Sequence, residues 1–395
     1  MKILLAHNQY QQPGGEDQSV AAEIAMLEAF GNEVIQYRVH NDSIKAMSGL
    51  SVAARTIWNR SSYREVRQLI KVHRPDIAHF NNTFPLISPA AYYAARAEGV
   101  PVIQTLRNYR LLCPSAFFLR DQQVCELCLG RMVAWPSIVH RCYRQSRSAT
   151  AVVVAMLATH RLVRTWQNAI DIYIALTEFG RDTFVRGGLP QEKIVIKPNF
   201  VYPDPGVGHG QGGYAIFVGR LSDEKGIKTL LDAWSLLESE VPLKIVGAGP
   251  LDAQVQAAAS RDPSITWIGQ QSPAAVASLV GEAAFLVFPS LWYEGLPRTI
   301  IEAFAKGTPV IGSKLGAMQD LISHDRNGLL FEPGQPDALA AVVREIWQDH
   351  DRLKRLRQSA RSEFESHYSY QANYQCLMTI YQQALTAKLS QNARN

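Results

Sequence analysis

The chain lacks any run of about eighteen apolar residues, the length a helix needs to cross a bilayer. Its longest apolar stretch, Ala149–Ala158, is ten residues long and lies between Arg147 and Arg161, which suits a buried or interfacial helix. No charged leader precedes an apolar core either. The opening MKILLAHNQY turns polar by position 7 and reads as a first strand, so a cytoplasmic protein is expected. Cysteine is scarce, five in 395 residues, and a disulfide framework is the weaker explanation for them. Arginines such as Arg55, Arg60, Arg64, Arg67 and Arg74 are scattered and come with no nucleic-acid-binding motif, so no nucleic-acid partner is expected.

What is present describes a globular protein of two ordinary domains, 47% hydrophobic and 19% charged. The charge is uneven. Residues 1–200 hold 23 Lys and Arg against 15 Asp and Glu, and the remainder holds 17 against 20. A basic first half meets something anionic, either the inner face of a membrane or a lipid diphosphate; a solvated basic helix is the plainer alternative.

Apolar runs alternate with helical periodicity from the start. Lys2–Ala6 reads as a strand, 11–16 (QQPGGE) as a loop, Ser19–Phe30 as a helix and Val34–Val39 as a strand. A basic helix over Tyr63–His73, a long helix over Ala149–Trp166 and a strand from Asp171 follow. Residues 201–213 (VYPDPGVGHGQGG) have no periodicity and read as a linker. The rhythm restarts at Tyr214 and continues to 369, and Tyr370–Ala387 is a final amphipathic helix. This is an α/β chain with two Rossmann-like, doubly wound domains, 1–200 and 214–369.

The most informative stretch is Phe288–Gly312, FPSLWYEGLPRTIIEAFAKGTPVIG. It reads as the end of a buried strand, a turn holding Glu294 and Gly295, a helix opened by Pro297, and a second strand from Pro309. Ligands of open parallel sheets sit at the carboxyl ends of strands, so Glu294 stands where a ligand would. Glu302 follows eight positions on, inside the helix. Two carboxylates at this spacing could each hold a hydroxyl of an elongated ligand; a helix with a solvated Glu at each end is the alternative.

The string Glu294-Gly-Leu-Pro-x4-Glu302-Ala-x-Ala-x-Gly307-x-Pro309-Val310 resembles the E-x7-E signature of the family-4 retaining glycosyltransferases of the GT-B fold, of the bacterial surface-polysaccharide type. Arg220-x4-Lys225-Gly226 likewise resembles that family's G-R-x-x-x-x-K-G element. The resemblance implies two domains facing across a cleft, with the C-terminal helix, about 370–395, crossing back to the first. It implies that Arg220 and Lys225 stabilise a leaving diphosphate, that Glu294 contacts the donor sugar, and that Glu302 contacts the ribose. Gly247, Gly249, Gly269, Gly295, Leu296 and Pro297 would border the donor, with Gly14 and Gly15 letting the backbone approach its sugar and phosphate. No metal would be needed for catalysis, since two cations and a helix N-terminus can carry the charge. The donor would be a UDP- or GDP-sugar and the acceptor a lipid-linked saccharide in exopolysaccharide or O-antigen assembly. A sugar-nucleotide epimerase of the same fold and a non-catalytic nucleotide-sugar-binding protein are the other readings.

The acceptor side departs from the pattern. Relatives read T-L-H-N-Y-R-x-x-C-P where this chain has Thr105-Leu-Arg107-Asn108-Tyr-Arg-Leu-Leu-Cys113-Pro. Arg107 cannot act as a base but can hold a donor sugar or phosphate. Glu16, His79 and Asn108 are the acceptor-side candidates; for His79 a histidine satisfied near the core is the alternative. Four cysteines, Cys113, Cys125, Cys128 and Cys142, fit a structural zinc by spacing, with separate buried thiols as the alternative.

Overall fold

The computed structural model describes residues 1–11 and 14–392. Gln12 and Pro13 of the expected 11–16 loop, and 393–395 of the expected final helix, lie outside the described residues. The chain divides into two compact units. Unit 1 takes in Met1–Phe118, Glu126–Pro198 and the chain from Asn373; unit 2 takes in Leu119–Cys125 and Asn199–Ala372.

Each unit is built on a six-stranded, all-parallel sheet. In unit 1 the strands are β1 (Lys2–Gln9), β2 (Glu33–His40), β3 (Ile77–Phe80), β4 (Val102–Leu106), β5 (Ile172–Ala175) and β6 (Ile194–Ile196), in the order β2-β1-β3-β4-β5-β6. In unit 2 they are β7 (Ala215–Val218), β8 (Leu243–Val246), β9 (Ile265–Gly269), β10 (Phe285–Phe288), β11 (Val310–Ser313) and β12 (Gly328–Phe331), in the order β9-β8-β7-β10-β11-β12. Central strands such as Ile3–Ala6 and Phe285–Phe288 are buried on both faces, which is why they read as continuous apolar runs. With helices between the strands, this is the α/β fold of the GT-B class. The strand order reverses between β1 and β3 in unit 1 and between β7 and β10 in unit 2, and ligands of open sheets bind outside such points.

Some elements begin or end elsewhere than the periodicity predicts. The first helix runs Gly15–Ala29, opening four residues early, so Glu16 lies in its first turn. Asp17 explains this: its carboxylate accepts from Gly14 N at 3.0 Å and Tyr10 N at 3.4 Å, satisfying donors that the helix start leaves open. The long helix ends at Leu162, where Arg164 turns left-handed (φ 54°) and Thr165 Oγ1 meets His160 Nδ1 at 2.8 Å. The last helix, Tyr370–Asn392, packs on unit 1 through Tyr374, stacked on Phe30 at 3.9 Å, and through Asn373, which accepts from Lys197 Nζ at 2.7 Å.

Candidate functional site

In unit 2 the two loops at the strand-order reversal carry Lys225 and Glu294. After β7 the chain runs Gly219-Arg220-Leu221-Ser222, makes a single turn over Asp223–Lys225, and enters the Ile227–Leu236 helix through Gly226 at φ 73°. A Cβ on Gly226 would lie 1.9 Å from the carbonyl oxygen of Pro289, just beyond β10, so only glycine lets the two loops meet. Leu291 N donates to Glu224 O at 2.9 Å and ties them together. Gly247 plays a similar part after β8: it stands at φ 137°, with its Cβ position 1.9 Å from Gly219 O. Gly249 packs beside Leu221, and the carbonyl of Gly269, at the end of β9, accepts from Gly247 N at 2.9 Å.

Lys225 Nζ donates to Glu294 Oε1 at 2.7 Å, and that oxygen also accepts from Ser290 Oγ at 2.8 Å and Trp292 Nε1 at 2.7 Å. Phe288 and Trp292 present ring faces to the ammonium, each centroid 5.4 Å away. Glu294 is buried, whereas the Lys225 side chain keeps 22% of its surface open. Arg220 is exposed, and its side chain has no hydrogen bond or ion pair among the described residues. Gly295 and the buried Leu296 lead to Pro297, which caps the Arg298–Ala305 helix rather than standing in its first turn. Glu302, half-buried, accepts from Arg298 Nη2 at 3.1 Å and Nε at 3.2 Å. Ser290, Trp292 and Arg298 were not singled out from sequence, though all three lie within the informative string.

Unit 1 gathers only some of its predicted residues. Glu16 Oε2 accepts from Tyr10 Oη at 2.9 Å and Asn108 Nδ2 at 3.1 Å, while Glu16 Oε1 is buried without a hydrogen bond among the described residues. Gly14 caps the same helix with open space where a Cβ would be, and Gly15 is exposed beside it. His79 does not join them. It is fully buried, with Nδ1 2.8 Å from Tyr381 Oη and Nε2 2.7 Å from Thr105 Oγ1, so no ring nitrogen is left for an acceptor. Its alternative reading, a histidine satisfied in the core, is what the structure shows.

Arg107 also turns inward, its side chain 3% exposed. Nε donates to Asn81 Oδ1 at 2.6 Å and Nη2 lies 3.5 Å from Glu23 Oε2. Glu23 is the hub of this cluster, with Lys197 Nζ at 3.3 Å and His79 at 3.5 Å. Burial would raise its carboxyl, but Lys197, His79 and Arg107 outweigh that and hold it at about 2. Burial in turn depresses the His79 imidazole to about 4 and lowers the Lys197 ammonium. Neither Glu23 nor Lys197 was singled out from sequence. A signal existed for Glu23, which shares the apolar helix face of Val20, Ile24 and Leu27.

The cysteines do not make a metal centre: among the described residues no three His, Cys, Asp or Glu side chains are gathered to hold an ion. Cys113 Sγ lies 3.2 Å from Ser115 Oγ, and Cys128 packs with Ala134, Val154 and Ile138. The surroundings of Cys113 and Cys128 thus differ.

Known proteins agree with this architecture. The family described as "Glycosyl transferase 4-like domain" matches residues 30–199 and that described as "Glycosyl transferases group 1" matches 208–363. The D-rhamnosyltransferase WbpZ of Pseudomonas aeruginosa is 31% identical over 155 residues, 38% of this chain and 40% of its own length. The amylovoran biosynthesis glycosyltransferase AmsK of Erwinia amylovora is 27% identical over 174 residues, 41% of this chain and 43% of its own. The chain thus spans less than half the length of these curated relatives. Anabaena Alr3699/HepE, solved with UDP, superposes with a TM-score of 0.66 at 18% identity, covering 99% of this chain and 100% of that one. Each half of the chain thus matches a glycosyltransferase family model, and beneath both lie the parallel sheets of the GT-B class.

Proposed function

We propose that the protein is a retaining glycosyltransferase that moves a hexose from a nucleotide diphosphate sugar to a hydroxyl of a lipid-linked or oligosaccharide acceptor in surface-polysaccharide assembly. One observation carries the reading: Lys225 and Glu294 meet at 2.7 Å where the strand order of unit 2 reverses, with an unpaired Arg220 on the same loop. Relatives named as a D-rhamnosyltransferase and an amylovoran biosynthesis glycosyltransferase, and a neighbour solved with UDP and with UDP-glucose, support this substrate class.

In this reading the bond from the anomeric carbon to the diphosphate oxygen breaks, and a bond to the acceptor oxygen forms on the same face. The hydroxyl proton passes to the departing phosphate. Arg220 and Lys225 meet the charge that grows on the diphosphate, which needs no metal. Glu294 holds the sugar, and the donors already on its Oε1 keep its carboxylate aimed. Glu302 takes the ribose hydroxyls.

The test is thermal melting with UDP-, GDP-, ADP- and TDP-sugars on the wild type, Glu302→Ala and Arg220→Ala. A donor at 100 times its Kd stabilises by about 2.7 kcal/mol. One nucleotide should raise the Tm of the wild type and lose most of that rise in both variants. No rise with any of them would sink the proposal.

A further inference from the structure

Between the Gly49–Ile57 and Arg147–Leu162 helices of unit 1 runs a groove of about 610 Å³. Met47, Leu50, Ala53, Phe84, Val152 and Val153 wall it, and Leu50 at its lip is 86% exposed. Beside it lies a second cavity of about 260 Å³ that includes Tyr10, Asn41 and Arg110. Phe84, Tyr143 and Arg144 line both, so the two form one site with an apolar arm and a cationic mouth.

The mouth is cationic because neither arginine has a carboxylate partner among the described residues. The Arg110 guanidinium lies 4.7 Å from the Phe84 ring centroid and 5.1 Å from that of Tyr143, and it donates to the Pro114 carbonyl. Arg144 is exposed, 5.6 Å from the Tyr143 ring. The exposed Arg144 guanidinium and the remaining N–H groups of Arg110 match phosphate oxygens. The arm adds only the hydroxyls of Ser48, Thr56 and Ser148 to its apolar wall, and Thr56 already donates to Val52 O at 2.8 Å. A peptide backbone would find too few partners there; a hydrocarbon chain needs none.

We propose that this site takes the polyprenyl diphosphate of the lipid-linked acceptor, with the chain in the arm and the phosphates at Arg110 and Arg144. The proposal rests on the transferase reading, because it names that reaction's acceptor. It also joins the acceptor-side residues: Tyr10 lines the mouth and donates to Glu16, which accepts from Asn108. The saccharide would extend from the diphosphate toward them.

Titration calorimetry on the full chain, with farnesyl diphosphate, farnesol and inorganic diphosphate below their aggregation limits, tests this. Farnesyl diphosphate should bind at least about tenfold more tightly than either fragment. Ala53→Trp, which fills the arm, should weaken farnesyl diphosphate and leave inorganic diphosphate unchanged. Arg144→Ala, at an exposed position, should weaken both by about tenfold, one charge-assisted contact. Inorganic diphosphate binding as tightly as farnesyl diphosphate, or farnesyl diphosphate binding equally to Arg144→Ala and wild type, would overturn the proposal. The nucleotide-sugar melting shift, read in the same variants, is independent. Its absence would refute the transferase reading even where the lipid binds, and its presence beside a failed lipid titration would refute only the groove.

Discussion

Each unit pairs a glutamate with a lysine, and the two pairs do different work. In unit 1 Glu23 and Lys197 are 1% and 2% exposed and share their site with Arg107 and His79. In unit 2 Glu294 is buried but Lys225 remains partly open beside an exposed Arg220. A sealed pair has spent its charge on its neighbours, and removing one member strands the rest. An open pair keeps charge for a ligand. Residue type is the same in both; solvent access separates a device that holds the fold from one that can meet a substrate.

The contrast can be broken most forcefully at Glu23. Glu23→Gln should destabilise unit 1 by about 3–5 kcal/mol, because Lys197 and Arg107 then lie buried without their carboxylate. The urea unfolding transition assigned to unit 1 should move accordingly, while the nucleotide-sugar response of unit 2 survives. Equal stability of variant and wild type would show that the cluster carries no net charge worth compensating.

Gly226→Ala sharpens the other side. A side chain at φ 73°, with its Cβ 1.9 Å from Pro289 O, costs roughly 1–2 kcal/mol for the backbone conformation alone, and it must also push apart the loops that hold Lys225 and Glu294. We expect a modest loss of melting temperature and a disproportionate loss of nucleotide-sugar binding. A fall in stability with donor affinity intact would detach that loop contact from the site.

A pH dependence bears on the sealed cluster as well. His79 and Glu23 both have folded-state values below their usual ones, about 4 against 6.5 and about 2 against 4.5. For both, the unfolded chain binds more protons, so stability is complete above about 6.5 and falls as the pH drops, first through His79 and then through Glu23. Urea titrations at pH 7 and 4.5 should show this loss in the wild type, and His79→Gln should remove most of it. An equally steep loss in His79→Gln would assign the dependence to other groups.

Much of unit 2 was legible because its chemistry is local. Glu294, Gly295, Pro297 and Glu302 stand within nine residues of one strand–loop–helix passage, so their relation follows from chain order and helical rise. Arg220 and Lys225 occupy a single loop in the same way. The unit 1 cluster could not be read so. Glu23, His79, Arg107, Lys197 and Tyr381 come from five separate stretches of the chain, and no spacing along it announces that they gather. For the cysteines, spacing allows a zinc site but says nothing of where each thiol points.

The sequence by itself determined two α/β halves and the loops that hold the charged side chains, because periodicity and turn chemistry act over a few residues. Only the tertiary structure decided which charges reach water. Burial depends on contacts between distant elements, and those contacts turned His79 and Arg107 inward, brought the last helix onto unit 1, and left Arg220 free.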